Sequence, residues 1–169
     1  MREILFRGKT ESGKWVQGDL IQLANGLKFI INNKFGACID DKGNFINTEA
    51  PFVCEVIPST VGQYTGLTDK NGTKIFEGDI LSVTVQEYED CPDDWQYNFV
   101  GSKRRYTGRK IKAVWTVEHK NHFCKGIGFY LYGKDRRFHI QLTQSALFNA
   151  NAEVVGNIHD NPELLEGAK

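Results

Sequence analysis

Side-chain alternation of period two runs through most of this chain and restricts its fold more than any other feature. Stretches such as WVQGDLIQL and ILSVTVQEY alternate apolar with polar residues and are rich in β-branched and aromatic side chains, which is typical of half-buried strands. No window of eleven or more residues carries a good helical stripe. The pattern therefore predicts a mainly antiparallel, all-β fold, either a barrel or a sandwich.

The predicted strands are short, and turn-forming residues separate several of them. Asn25-Gly26, between QLA and LKFII, is the clearest hairpin turn because both residues accept positive φ. A short helical turn is predicted near the C-terminus, where Asn161 can cap, Pro162 fits the first helical position and Glu163 favours the positive end of the helix dipole. The predicted strands are Arg2–Arg7, Trp15–Leu23, Leu27–Asn32, Val53–Ile57, Ile80–Tyr88, Ile111–His119, Gly128–Tyr132, Phe138–Leu142 and Val154–Ile158.

Length and composition are those of an ordinary folded protein. The 169 residues suffice for a sizeable core, and 40% are hydrophobic and 25% charged, which argues against a disordered chain. We expect one domain over residues 1–169. No run approaches 18 apolar residues, and the start MREILFRGKTESG lacks an apolar signal-peptide core, so we expect neither a membrane span nor secretion, and a cytoplasmic location.

Charge sums to zero but is distributed unevenly. Residues 1–94 hold 9 basic and 15 acidic side chains, residues 95–140 hold 11 and 2, and residues 141–169 hold 1 and 4. The sign changes abruptly, so we expect a variable charged excursion at about residues 87–110. Two interpretations stay open. The runs are solvated arms of one hairpin or loop that attract each other, or the basic part is a face for a polyanion.

The basic segment, residues 95–140, is the strongest candidate for a binding surface. Its cations are interleaved with aromatic residues, the combination with which single-strand binders follow phosphates and stack on bases. However, Trp115, Phe129 and Phe138 alternate with polar residues as core positions do. We therefore expect most rings to lie inside and the exposed contacts to be Lys103, Arg104, Arg105, Tyr106, Arg109, Lys110, Arg136 and Arg137.

An internal similarity links two parts of the chain. FRGKTESGKWVQGDLI and YTGLTDKNGTKIFEGDIL share aromatic-x-Gly-x-Thr-acid, a glycine turn, and a closing Gly-Asp before two aliphatic residues. Each copy predicts a strand, a tight turn and a returning strand whose Gly-Asp lets the chain bend. We expect Asp19 and Asp79 to bond backbone amides at those bends. The pattern IFEGDIL followed by VTV also has a weak likeness to SH3-like barrels.

Three separated blocks also carry a family resemblance. REILFRGKTESGKWVQGDL, IPSTVGQYTGLTDKNGTKIFEGDIL and EVVGNIHDNPELL occur in this order and cover about half the chain; together they resemble the YopX family of small phage and prophage proteins. The resemblance implies a β-rich fold, an origin in a phage or prophage of a bacterial host, and no assigned catalytic residue. The family pattern, for which we prefer a fold-forming role, consists of Gly66, Asp69, Gly72, Glu77, Gly78, Asp79, Gly156 and Asn157.

Chemical signatures are scarce. His119-x-x-His122-x-Cys124 is the nearest approach to a metal cluster, but a closed zinc site needs a fourth ligand and usually a CxxC or HxxxH pair. The four cysteines have no CxxC pair, which suits reduced thiols. Neither GxSxG nor GxxxxGK[ST] occurs. We therefore predict no catalytic site, no metal and no cofactor.

Two functions follow from these observations. The first is a non-enzymatic accessory protein that binds a protein partner, either a host or phage protein or its own copies, and whose charged excursion docks on an oppositely charged surface. The alternative is a nucleic-acid-binding module that uses the basic aromatic segment 95–140.

Overall fold

The structure is a computed structural model that describes residues 3–32, 38–39, 45–46, 52–90, 104–122, 126–132 and 139–166. Antiparallel strands dominate these residues, as the alternation predicts. The strands are β1 Phe6–Lys9, β2 Trp15–Gln22, β3 Lys28–Asn32, β4 Cys38–Ile39, β5 Phe45–Ile46, β6 Phe52–Val56, β7 Gly62–Thr68, β8 Lys74–Phe76, β9 Asp79–Asp90, β10 Arg104–His122, β11 Gly126–Tyr132, β12 His139–Gln141 and β13 Glu153–Asn157. The helices are a 3₁₀ turn at Pro58–Thr60, α1 Gln144–Asn149 and α2 Glu163–Glu166.

Both larger sheets are open, which corrects the barrel alternative. One has six strands in the order β6-β3-β2-β1-β7-β8, and the other has five in the order β12-β11-β10-β9-β13. A barrel requires the first and last strands of a sheet to pair, and no such pairing occurs among the described strands. The fold is therefore all-β, as predicted, but is not a closed barrel.

Contacts divide the chain into two compact units. Unit 1 comprises Met1–Thr68 and Lys74–Gly78, and unit 2 comprises Asp69–Thr73 and Asp79–Lys169. Unit 1 contains the six-stranded sheet and the short β4–β5 pair, while unit 2 contains the five-stranded sheet and both α-helices. One domain over the whole chain stays a prediction.

In unit 1, the predicted Asn25-Gly26 turn is confirmed. The amide of Leu27 donates to the side-chain oxygen of Asn25, and Gly26 has a φ of +89°. This turn sets the β2–β3 register, in which Leu20 lies opposite Ile30. Ile30 is fully buried because it lies on the face of the sheet that forms the core. The buried apolar side chains of this unit are Ile30, Val56, Tyr64, Ile75 and Phe76.

The two similar stretches both form hairpins, but their Gly-Asp pairs differ. Gly78 has a φ of +82° and precedes β9, so this copy bends as predicted. Gly18-Asp19 instead lies inside β2, where Asp19 pairs with Ile31 and is exposed. The predicted bend at Asp19 is therefore wrong. Glycine is needed at position 18 for another reason, because a Cβ there would collide with the carbonyl oxygen of Ile31.

In unit 2, the long strands β9 and β10 form the centre of the sheet. Apolar residues at alternate positions, such as Leu81, Val83, Trp115 and Val117, are buried, as period-two alternation requires. Thr143 caps α1 by accepting the amide of Ala146, and α2 begins at Glu163, where the sequence predicted a helical turn. The other buried apolar residues are Ile80, Phe129, Tyr130, Leu131, Leu142, Leu147, Ala150 and Ala152.

Candidate functional site

The acidic and basic runs are the two arms of one antiparallel hairpin. β13 pairs with β9 between Asp79 and Ser82, and β11 pairs with β10 from Thr116 onward. Between these ladders and the ends of the two strands, β9 and β10 pair only with each other among the described strands. Residues 84–90 and 104–112 thus form a two-stranded extension of the sheet, which we call the charged ribbon.

In the outer half of the charged ribbon, opposite charges share register positions. Arg104 lies opposite Asp90 and Arg105 opposite Glu89, while Tyr106 lies opposite Tyr88. Directly opposed residues of an antiparallel pair lie on the same face of the sheet, and opposite charges at such positions attract. The register thus places the two charge runs on paired strands, which is the strand arrangement that the hairpin interpretation predicts.

The inner half of the charged ribbon has cations without opposed carboxylates. Lys110 lies opposite Gln86 and Lys112 opposite Thr84, both neutral residues. Lys110 and Lys112 are both exposed and, two residues apart on a strand, lie on the same face. Ile111, between them, lies on the other face and is 41% exposed. The inner half therefore exposes lysine side chains on one face and an apolar side chain on the other.

A bulge separates the two halves. The register shifts between Tyr106 and Lys110, so that three residues of β10 lie opposite Glu87 alone. Gly108 has a φ of +85°, and the hydroxyl of Thr107 accepts the amide of Arg109 at 3.2 Å. Such bulges bend a strand and redirect its side chains. Here the bulge adds a third exposed cation, Arg109, next to Lys110.

The structure describes only part of the predicted polyanion-binding set. Lys103, Arg136 and Arg137 lie outside the described residues, whereas Arg109 and Lys110 are exposed on the charged ribbon. Sequence reasoning left Lys112 out of the set, although its spacing of two from Lys110 places both on one face of a strand. The aromatic residues Trp115, Phe129 and Tyr130 are buried, as predicted for Trp115 and Phe129.

Of the sequence His119-x-x-His122-x-Cys124, from which we predicted no metal site, the structure describes only the His119 side chain. His119 is exposed and packs its ring edge-on against Phe129, with 4.9 Å between ring centroids. Across the described part of the chain, no group of three or more His, Cys, Asp or Glu side chains is arranged to hold a metal ion. Cys54 takes part in no disulfide. No helix among the described residues is long and apolar enough to cross a membrane.

Asp69, a residue of the family pattern, organises a turn of unit 2. Its Oδ1 accepts the amides of Asn71 and Thr73 at 2.8 and 2.9 Å, and its Oδ2 accepts the amide of Val154 on β13 at 3.0 Å. Gly72, with a φ of +83°, completes the turn. The Asp69 side chain is buried, so these donors replace the water that it lacks.

The electrostatics of this turn follow from the same contacts. Burial by itself raises the pKa of Asp69, but the backbone amides of Val154, Thr73 and Asn71 favour the charged carboxylate and hold its pKa below the ordinary value. Nearby, the hydrogen bond from Lys70 at 2.6 Å, together with its positive charge, lowers the pKa of Glu153. The Asp69 carboxylate is thus favoured in its charged form, in which it joins the turn to β13.

The remaining residues of the family pattern also serve local structure. The amide of Glu77 donates to the carbonyl of Gln63. The side-chain oxygen of Asn157 accepts the amides of His159 and Asp160 at 2.9 and 3.0 Å. A Cβ at Gly156 would lie 2.5 Å from Oδ1 of Asn161. Gly66 has a φ of +81° at an irregularity of the β7–β8 ladder, and Asp79 is fully buried.

Two open antiparallel sheets, short helices and a charged β-ribbon define this chain as a small all-β protein. It belongs to the YopX family, because the family model described as "YopX protein" matches residues 5–166. The crystal structure of protein EF1440 from Enterococcus faecalis is similar, with a TM-score of 0.45 and 20% identity over 98% of this chain and 99% of that one. A comparison with curated proteins finds no match.

Proposed function

We propose that this protein is a non-enzymatic accessory protein of a phage or prophage, and that it acts by binding a protein partner through the charged ribbon. The observation that carries the proposal is the extension of β9 and β10 beyond their neighbours, which leaves a β10 edge without a partner among the described strands and exposes Arg109, Lys110 and Lys112 in unit 2. Open strand edges are common sites of protein association. The lack of catalytic motifs in the sequence agrees with a binding role.

The test compares capture of proteins by three forms of the full chain. Wild type, the ribbon variant Lys110→Glu/Lys112→Glu and the control Lys14→Glu are immobilised and exposed to lysate from a bacterial host carrying the phage. Lys14 is exposed and lies in the β1–β2 turn, so its reversal matches the charge change away from the ribbon. Captured proteins are then purified and their affinities for the three forms measured by calorimetry.

We expect a purified partner to bind wild type and Lys14→Glu equally and the ribbon variant at least about tenfold more weakly, because charge reversal replaces attraction with repulsion. Equal binding to all three forms would exclude the ribbon as the interface. A monomeric wild-type protein that binds no purified host or phage protein would count against an interaction module altogether.

The inner half of the charged ribbon also favours a second candidate, nucleic-acid binding. Lys110 and Lys112 are exposed opposite the neutral residues Gln86 and Thr84, and Arg109 is exposed beside them in the bulge opposite Glu87. Cations arranged in this way can follow phosphates along a backbone. Proteins also place two-stranded β-ribbons in the major groove of DNA.

Fluorescence anisotropy with labelled single-stranded DNA, duplex DNA and RNA at two salt concentrations tests this candidate. Two triple variants divide the basic residues, namely Arg104→Ala/Arg105→Ala/Arg109→Ala and Arg109→Ala/Lys110→Ala/Lys112→Ala. Binding that weakens steeply with salt and is lost most completely in the second variant would support the inner half as the site. No binding at low salt would remove nucleic acid as a ligand.

A further inference from the structure

We propose that the partner contributes an extended acidic segment, which adds as a new strand to the edge of β10 at residues 110–114. This inference rests on the proposed function, since it specifies the chemistry of the protein partner at the same ribbon. The segment carries carboxylates at alternate positions with an apolar residue between them. It is recognised jointly by the backbone of β10 and by the cations of the inner half.

The backbone of β10 provides the first part of the argument. On the side away from β9, the next strand is β11, whose pairing with β10 begins at Thr116. Between the bulge and Thr116, no described strand pairs with that edge of β10. The bulge satisfies the amide of Arg109 through Thr107, so the edge that has no partner among the described strands begins at Lys110. Five residues of strand span about 17 Å, which is enough to hold a short peptide by main-chain hydrogen bonds.

Side-chain spacing provides the second part. Lys110 and Lys112 lie on one face of β10, and Ile111 is exposed on the other. A strand added beside β10 places its residues directly opposite these three, with alternate residues on alternate faces. Carboxylates at positions one and three would meet the two lysines, and an apolar residue at position two would cover Ile111. The preferred pattern is therefore acidic, apolar, acidic.

The surrounding charge favours a peptide over a polynucleotide. A polynucleotide cannot form a main-chain ladder with the β10 edge, so it would use the lysines but not the backbone. In the outer half of the ribbon, Glu89 and Asp90 lie opposite Arg105 and Arg104, so this half adds no excess of positive charge for a phosphate chain that extends past the bulge. A short acidic strand that ends at the bulge needs no such excess.

The experiment measures binding of a labelled, end-blocked peptide, Thr-Glu-Val-Glu-Val-Glu-Thr, to the full chain by fluorescence anisotropy at low and physiological salt. One control peptide has the same composition with its three glutamates adjacent, and another is N-methylated at alternate amides so that one edge cannot donate hydrogen bonds. The protein forms are wild type, Lys110→Glu/Lys112→Glu and Lys14→Glu. A single-stranded DNA of seven nucleotides is the competing ligand.

We expect saturable binding of the alternating peptide to wild type and Lys14→Glu, at least about tenfold weaker binding to the ribbon variant, and at least about tenfold weaker binding of both control peptides. Equal affinity for the three peptides would overturn the added strand, because charge alone would then suffice. Tighter binding of the DNA than of the alternating peptide would overturn the peptide ligand. Sedimentation could instead show that wild type self-associates in a salt-sensitive way and that the ribbon variant does not. That result would overturn the acidic partner segment and identify β9 of a second copy as the added strand.

Failure of this inference can be told apart from failure of the proposed function. If the peptide does not bind but a purified partner still distinguishes wild type from the ribbon variant, the ribbon remains the interface and the added acidic strand is wrong. If neither the peptide nor any purified partner distinguishes the two forms, both proposals are wrong.

Discussion

The carboxylate of Asp69 accepts the backbone amide of Val154 at 3.0 Å, across 85 residues of sequence. The same carboxylate holds the amides of Asn71 and Thr73 within its own turn. One side chain therefore closes a tight turn and fixes it to strand β13 of the same unit. This arrangement gives Asp69 a structural role that its position in a turn-forming motif only partly indicates.

Substitution of Asp69 by asparagine should lower the free energy of unfolding by about 2–3 kcal/mol, because hydrogen bonds to a charged acceptor are strong and an amide nitrogen facing backbone donors leaves one of them unsatisfied. Urea denaturation followed by circular dichroism measures the loss. Glu11→Gln is the control, since Glu11 is exposed in the β1–β2 turn, and it should change stability by less than about 0.5 kcal/mol. Equal stabilities of the two variants would refute the anchoring role.

Acid should destabilise the wild type more than Asp69→Asn. The pKa of Asp69 lies below its ordinary value of 3.8 in the folded protein, so the unfolded chain takes up the proton first as the pH falls. The stabilisation from the charged carboxylate is complete above the unfolded pKa and is lost as the pH falls through the folded pKa. The stability curves of the two proteins should therefore begin to converge below about pH 4 and meet only below the folded pKa of Asp69. Parallel curves down to pH 2 would contradict the lowered pKa.

Much of the fold was predictable from alternation and turn chemistry. Strand β2 begins at the predicted Trp15, and the Asn25-Gly26 turn and the C-terminal helix lie where expected. Helix α1 was missed because its six residues are shorter than any window in which a helical stripe can be recognised. Strand β10 begins at Arg104 and not at the predicted Ile111. The start was missed because residues 104–110, RRYTGRK, have no alternation of apolar and polar side chains.

The candidate site was less predictable for a related reason. The sequence identified the two charge runs but left open whether they attract each other or bind a polyanion. That choice depends on register, which pairs Arg105 with Glu89 but Lys112 with Thr84. Register in turn depends on the bulge at Gly108, and a polar run of this kind contains no pattern that places a bulge. The contact between Asp69 and Val154 could not be predicted either, because the two residues are 85 positions apart in the sequence.

Arg7 should be more important to unit 1 than its charge suggests. Its guanidinium carbon lies 4.9 Å from the centroid of the Trp15 ring and 5.0 Å from that of Phe76, and its Nη2 donates to the carbonyl of Glu77. Arg7→Ala should lower stability by about 1–3 kcal/mol through lost cation–π and packing interactions. Arg7→Lys should recover only part of the loss, because an ammonium does not stack on rings as a planar guanidinium does. Thermal unfolding of both variants measures the difference, and identical melting temperatures for Arg7→Ala and wild type would exclude the stack as a stabilising element.

The ion pair between Lys70 and Glu153 should contribute little despite its short distance of 2.6 Å. Both side chains are partly exposed, so solvent and salt screen the interaction. A double-mutant cycle with Lys70→Met and Glu153→Gln should give a coupling smaller than the loss caused by Asp69→Asn, and it should weaken further as salt is added. A coupling that is insensitive to salt would show that the pair is shielded from solvent.

Two glycines of unit 1 should respond differently to the same added methyl group. Gly26 has a φ of +89° in an exposed turn, and a Cβ added there would meet no atom within 4 Å beyond its chain neighbours. Gly26→Ala should therefore lower the free energy of unfolding only by the strain of a left-handed residue, about 1 kcal/mol. At Gly18 the new Cβ would meet the carbonyl oxygen of Ile31 on the neighbouring strand. Because β2 and β3 must then separate, Gly18→Ala should cost about 3 kcal/mol. Chemical denaturation gives both values, and an equal or smaller loss at Gly18 would mean that the two strands do not approach as closely as this contact requires.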